Sequence, residues 1–373
     1  MNIFYDENIP YAKEFFSDFG KLTPFSGRDL TAEQVKDADV LLVRSITKVN
    51  QQLLSLNTRI KFVGTATIGF DHIDKDYLAS RNVTFTNAPG CNAVSVSEYV
   101  LSAIMVMSER LNFNYFNKTV GIVGGGNTGT RLTEKLDALD ISYLLHDPIL
   151  EAAGDKRKFS SLEQVLACDI ISLHVPLTNS GAHPTYHLLN DVRLKALSAE
   201  QILINACRGE VVDNQALLSL KQNNSGPHLI LDVWENEPNV LLELIPYCQL
   251  TSAHIAGYSL EGKARGTEML YLALSKLVKT PAKYCLSEFL PTADLAEIGQ
   301  QSSDVIAHIR ARVFQVYDVR RDDKIFREQL SEHSFDYLRK NYPVRREFSA
   351  LVLASEQKNC LVKIKNLGFN LTK

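Results

Sequence analysis

The stretch TVGIVGGGNTGTRLTEKL constrains the chain more than any other. It places Gly124, Gly126 and Gly129 as G-x-G-x-x-G directly after an apolar run and directly before an amphipathic pattern. Strand, tight turn and helix in that order open a dinucleotide-binding βαβ unit. The first glycine permits the turn, the second lets the backbone approach a pyrophosphate, and the third lets helix and strand pack closely. The helix N-terminus then offers N–H groups and positive dipole to the phosphates. Leu132, Leu136 and Leu139 fall on one face of this helix, with Arg131, Glu134 and Lys135 expected elsewhere. The next apolar run ends at Asp147, about 20 residues on, where a carboxylate accepts from ribose hydroxyls and disfavours a 2′-phosphate. NAD is therefore the expected cofactor.

On either side of the loop, short apolar runs alternate with helical periodicity. NIFYD (2–6), DVLLVRS (39–45), KFVGTAT (61–67) and VTFTNAP (83–89) read as strands buried on both faces, and YLLHD, DIISLHV, ILINA, LILDVW and LTSAHI continue the series. A long apolar helix is expected from about Ser95 to Glu109 and another from Glu261 to about Lys276. These patterns predict an α/β protein with two doubly wound parallel-sheet units. TPAKYCLSEFLPTAD (280–294) reads as a connection. The helical pattern 295–314, the charged YDVRRDD and the apolar SALVLAS read as a separate small α+β unit.

Lys and Arg number 40 against 43 Asp and Glu, a net charge of −3. Nothing in that balance asks for nucleic acid or an anionic membrane as partner. No apolar stretch has the length of a membrane span and MNIFYDENIP lacks a signal-peptide pattern, which favours the cytoplasm. The six cysteines are scattered without a CxxC, as reduced thiols in apolar runs would be, and no metal site is expected.

Ligands of doubly wound folds bind beyond the carboxyl ends of the strands. ILINACRGEVVDN places Arg208 there, LILDVWENEP places Asp232 and Glu237, and LTSAHIAGYS places His254. An arginine grips a carboxylate through two parallel hydrogen bonds, and a histidine takes a proton from a hydroxyl. A glutamate on the other imidazole nitrogen orients the ring. Each residue alone has an ordinary reading as salt-bridge partner, turn or packed histidine. Together, beside an NAD loop, Arg208, Glu237 and His254 describe hydride transfer at a 2-hydroxy acid. His174, His183 and His187 lie in or beside a loop without a paired carboxylate and are read as structural.

GIVGGGNTG, LINACRGEVVDN, LDVWENEP and HIAGYSLEGKARG resemble the D-isomer-specific 2-hydroxyacid dehydrogenases over about the first 280 residues. VRSIT, GTATIGFDHID, APGCNA, HPTYHLL, YDVRRDD and YPVRREFS extend the likeness across nearly the whole chain, toward a member acting on a small phosphorylated 2-hydroxy acid. The resemblance implies a flavodoxin-like substrate domain of residues 1–95 and 258–284 and a Rossmann NAD domain of residues 96–257. It also implies a C-terminal dimerisation domain of residues 285–373, hence a homodimer. Arg208, Glu237 and His254 would be the catalytic residues, His254 the proton donor or acceptor. NAD would meet Gly124, Gly126, Asn127, Thr128 and Gly129, with Asp147, Val175, Ala206, Cys207, Asp232 and Gly257. The substrate would meet Ser45, Thr67 and Tyr258. Cys207 stands where the family has serine, Val175 where it often has threonine, and Asn127 where it commonly has histidine.

A phosphorylated substrate needs local positive charge. Arg44, beside Ser45, leads the candidates, followed by Lys48 and the tail arginines Arg345 and Arg346; an arginine of YPVRREF would reach the phosphate across a dimer. Another dehydrogenase of the family, acting on 3-phosphoglycerate or hydroxypyruvate, would share the loop and the catalytic three but not the tail. An NAD-sensing binding protein of the same fold is the alternative from a different class.

Overall fold

A computed structural model of the chain describes residues 1–292, 304–353 and 359–371. Two compact units emerge, one of Met1–Asn92 with Ser259–Thr292, the other of Ala93–Tyr258 with Ala293–Lys373.

Near-continuous runs of Val, Leu, Ile and Phe are buried on both faces only in a parallel sheet covered by helices. The first unit builds one from β1 (Asn2–Asp6), β2 (Lys21–Phe25), β3 (Val40–Val43), β4 (Phe62–Thr65) and β5 (Thr84–Thr86). All are parallel, in the flavodoxin-like order β2-β1-β3-β4-β5. Every residue of β3 and β4 is buried. β2 is not among the strands expected from sequence: KLTPF is partly exposed and carries Pro24, which an edge strand tolerates. The helix Leu260–Leu277 returns the chain to this unit, capped by Ser259 Oγ, which accepts from Gly262 N–H at 2.8 Å. Its Leu270, Tyr271 and Leu274 pack with Phe15, Phe16 and Phe62, and Leu286 and Phe289 stay with the same core.

The second unit carries β6 (Val120–Val123), β7 (Tyr143–His146), β8 (Ile170–Leu173), β9 (Ile202–Asn205), β10 (His228–Leu231) and β11 (Cys248–Thr251), all parallel in the order β11-β10-β9-β8-β6-β7. The strand order reverses at β6, where the glycine loop leaves the sheet. Helix Ala93–Arg110 is buried on nearly every side, as an all-round apolar helix must be.

The tail supplies part of that cover. Ile309, Val313, Tyr317 and Phe348 share a cluster with Ile104, Leu132 and Leu136. Helices Val305–Val316, Arg320–Gln329, Phe335–Lys340 and Leu361–Asn366, with a parallel pair of Val352–Leu353 and Asn370–Leu371, give it α+β character. The tail, expected as a small α+β unit, packs in one compact unit with the NAD sheet and shares its cluster with helix Ala93–Arg110. Positions 295–303 of the expected tail helix and 354–355 of SALVLAS lie outside the described residues.

Candidate active site

After β6, Gly124 turns with φ +100°, a left-handed value that suits glycine, and a Cβ there would lie 2.5 Å from the His174 carbonyl oxygen. At Gly129 an added Cβ would lie 2.0 Å from the Gly124 oxygen, so helix and turn touch through bare backbone. At Gly126, the N-cap residue of helix Asn127–Ala138, a Cβ would meet nothing within 4 Å. Open space thus fronts a helix N-terminus begun by Asn127 and Thr128, the setting a pyrophosphate requires. Asp147 follows β7 and fastens the loop. Its Oδ2 accepts from Gly125 N–H at 2.8 Å and its Oδ1 from Leu150 N–H at 3.0 Å. Val175 follows β8, and Ala206 and Cys207 follow β9. Burial pushes the Cys207 thiol up to about 11, so it stays neutral, 3.2 Å from Asn205 Oδ1. These residues fit NAD.

β9, β10 and β11 are neighbours, so the loops after them converge. The backbone of Gly209 lies so close to Trp234 that an added Cβ would be 1.9 Å from the Trp234 carbonyl, which seats the Arg208 loop against LDVWENEP. Arg208 Nη1 donates to the Cys207 carbonyl at 2.7 Å. Glu237 Oε1 accepts from Trp234 N–H at 2.9 Å, and its Oε2 lies 2.8 Å from His254 Nδ1. A carboxylate can only accept, so Nδ1 carries the ring proton and Nε2 is the basic nitrogen. The His254 side chain keeps 31 % of its surface exposed.

Asp232 builds the turn on which the histidine sits. Its carboxylate accepts from Ser252 Oγ at 2.6 Å, Ile255 N–H at 2.8 Å and Ala256 N–H at 3.0 Å, while its carbonyl accepts from His254 N–H at 2.7 Å. Gly257 and Tyr258 follow, half-buried, the Tyr258 ring edge-on to Tyr342 at 6.0 Å.

In the first unit, Arg44 and Ser45 come directly after β3, Arg44 half-buried, Ser45 and Lys48 exposed. Thr67, in the turn after β4, donates to Gly69 O at 2.8 Å and lies 2.7 Å from Thr65 Oγ1. Lys263 joins them without having stood out in the sequence. It lies in the first turn of helix Leu260–Leu277, where desolvation and then the charge of Arg44 lower its ammonium to about 8. A desolvated ammonium that feels the charge of a second cation is favoured by an anion. A lysine one turn into a helix looks like surface charge until the fold brings Arg44 beside it.

Three expectations change. Arg345 is 1 % exposed, its Nη1 donating to Ala256 O at 2.8 Å and its Nη2 to Ser95 O at 2.6 Å, so it is committed to the protein's own backbone rather than available to a phosphate; Arg346 is half-buried. Lys135, expected away from the packed face of its helix, is buried, donating to Leu367 O at 2.8 Å with Glu98 3.4 Å away, because the tail covers that face. His187 does meet carboxylates, Glu235 at 2.6 Å from Nε2 and Asp213 at 3.7 Å from Nδ1. These three lie close enough to suggest a metal. Yet Glu235 Oε2 accepts from Asn214 N–H and Asp213 Oδ1 from Ala216 N–H, and the two ring nitrogens face different carboxylates. That arrangement is a clasp between loops.

Residues 98–256 match the family described as D-isomer specific 2-hydroxyacid dehydrogenase, NAD binding domain, and residues 289–368 match a domain of unknown function. The class that fold and site define is thus that of the 2-hydroxyacid dehydrogenases. A D-lactate dehydrogenase from Aquifex aeolicus, solved with NAD and lactic acid, is 26 % identical with a TM-score of 0.60, covering 75 % of this chain and 96 % of its own. An NAD-dependent formate dehydrogenase from Staphylococcus aureus, at 21 % identity and TM-score 0.59 over 74 % of this chain and 96 % of its own, shares the fold. Erythronate-4-phosphate dehydrogenase from Colwellia psychrerythraea is 55 % identical over 99 % of this chain and 100 % of its own, and that from Shewanella oneidensis 51 % over 99 % of each. The chain belongs to the erythronate-4-phosphate dehydrogenase family of D-2-hydroxyacid dehydrogenases.

Proposed function

We propose that the protein oxidises the C2 hydroxyl of 4-phospho-D-erythronate to 2-oxo-3-hydroxy-4-phosphobutanoate, in pyridoxal 5′-phosphate biosynthesis. The reading is carried by the His254–Glu237 pair, 2.8 Å apart, whose members follow the two strands next to the one that Arg208 follows, in a chain of this family. NAD, when bound, supplies the hydride acceptor. His254 Nε2 takes the proton of the C2 hydroxyl as the C2–H bond gives up its electron pair, leaving a carbonyl. Glu237 holds the ring by Nδ1–H and its negative charge offsets the imidazolium that forms. Arg208 grips the substrate carboxylate and the C2 oxygen, where charge builds up. Ser45, Thr67 and Tyr258 are assigned to the substrate, Arg44 and Lys263 to its phosphate, with Arg346 as a further phosphate ligand supplied across a homodimer.

The domain assignment proposed is residues 1–95 and 258–284 for substrate, 96–257 for NAD and 285–373 for dimerisation, in a cytoplasmic enzyme. Among the described residues no helix is long and apolar enough to cross a membrane. Turnover of 4-phosphoerythronate, 3-phosphoglycerate and hydroxypyruvate, each followed by NAD(H) absorbance, tests the reading. The first should have the highest kcat/KM, and a preference for either of the others would refute it.

A further inference from the structure

Residues 289–368 match a domain of unknown function, and side chains of this tail converge on the segment that bears His254, within one compact unit. Asp323 Oδ1 accepts from both Thr251 N–H and Thr251 Oγ1–H at 2.8 Å, at the last residue of β11. Arg345 Nη1 takes the carbonyl of Ala256, two residues past the histidine, at 2.8 Å. The Arg339 guanidinium lies 5.7 Å from the Tyr258 ring centroid. Phe326 stacks on Trp234 with centroids 5.5 Å apart. The Trp234 indole N–H donates to Ser252 O at 3.0 Å, and its peptide N–H donates to Glu237 at 2.9 Å.

The grip falls where the backbone needs it. His254 has φ +56°, a left-handed conformation that a histidine keeps only where its surroundings impose it. Asp232 takes the N–H groups of Ile255 and Ala256, and Arg345 takes the Ala256 carbonyl, so opposite charges hold the two sides of the same short segment. A guanidinium 1 % exposed is costly to bury, and this one directs its donors at two backbone carbonyls.

We infer that the C-terminal segment is a positioning element for His254, with Arg345 and Asp323 as its two anchors on the histidine-bearing loop. The inference rests on the reading of His254 as the proton carrier. Neither anchor touches substrate; each acts by fixing where Nε2 stands.

The test uses the full-length protein with Arg345→Met, Asp323→Ala and the conservative Asp323→Asn, which keeps an acceptor oxygen for Thr251. In Asp323→Ala and Arg345→Met, kcat should fall about tenfold to a hundredfold, the penalty of a misplacement near 1 Å. NADH affinity should hold. In the cofactor-free protein, the proton resonance of His254 Nδ1–H, assigned by its loss in His254→Ala, should shift or broaden in Asp323→Ala and return in Asp323→Asn together with kcat. Should Arg345→Met not fold, the Asp323 pair decides alone. A folded Asp323→Ala with normal kcat and an unmoved resonance overturns the inference. An active His254→Ala would overturn the underlying reading; an inactive one beside fully active anchor variants would overturn the anchoring alone.

Discussion

At the residue scale, the chemistry rests on one proton position. Glu237 fixes the His254 tautomer by accepting from Nδ1 at 2.8 Å, and Trp234 N–H fixes Glu237 in turn. Glu237→Gln can keep an acceptor near Nδ1 but loses the charge that offsets the imidazolium. We expect kcat to drop about 10²-fold or more with NADH affinity unchanged; a drop confined to KM would count against the mechanism. Asp147 offers a second test. Its carboxylate faces the glycine loop through Gly125 N–H, and Asp147→Asn should narrow the preference for NAD over NADP in a fluorescence titration. The partners of His254 were legible in the sequence because each stands just past an apolar run. The left-handed backbone at His254 and the two carboxylates around His187 were not, since they depend on contacts between loops far apart along the chain.

Helix Leu260–Leu277 sets the terms at the scale of elements. Its capped first turn brings Lys263 to Arg44 beyond the end of β3, and desolvation keeps the ammonium near 8 instead of its ordinary 10.5. The sign of the pH effect follows. Below pH 8 the folded protein bears the cost of a desolvated charge; between pH 8 and 10.5 the folded state sheds this proton while the unfolded chain keeps it, so the group's contribution to stability rises with pH. Lys263→Met should therefore melt higher than the parent at pH 7, with the gap closing above pH 8. It should also raise KM for the phosphorylated substrate about tenfold or more, the worth of a charge-assisted hydrogen bond. A lower Tm with unchanged KM would make Lys263 ordinary packing. The buried strands of both sheets were legible because parallel strands are apolar on both faces, whereas edge strand β2, partly exposed and holding Pro24, lacks that signal.

Across the whole molecule, the tail is the region whose packing the sequence shows least. Its short helices show no strand alternation, so the pattern did not reveal that Ile309, Val313, Tyr317, Phe348 and Ile364 lie in one cluster with Ile104, Leu132 and Leu136. A chain ending at Thr292 would expose that cluster, and we expect it to be insoluble; a soluble product with a cooperative melt would show the tail to be dispensable for folding. The same junction holds an ionisable lock. Glu98, on helix Ala93–Arg110, accepts from Phe348 N–H at 3.1 Å and lies 3.4 Å from Lys135. Burial pushes its carboxyl up to about 7, with Lys135 and Arg345 opposing and Glu347 adding to the rise. The folded state therefore holds a proton here between pH 4.5 and 7 that the unfolded chain has released. The stability this group contributes is full below 4.5 and is lost as pH rises through 7. Glu98→Gln mimics the protonated form and can still accept from Phe348 N–H. Its Tm should match the parent near pH 5 and exceed it at pH 8, and a parent Tm deficit that shrinks as pH rises across this window would show that the carboxylate, not its protonated form, locks the tail to the sheet.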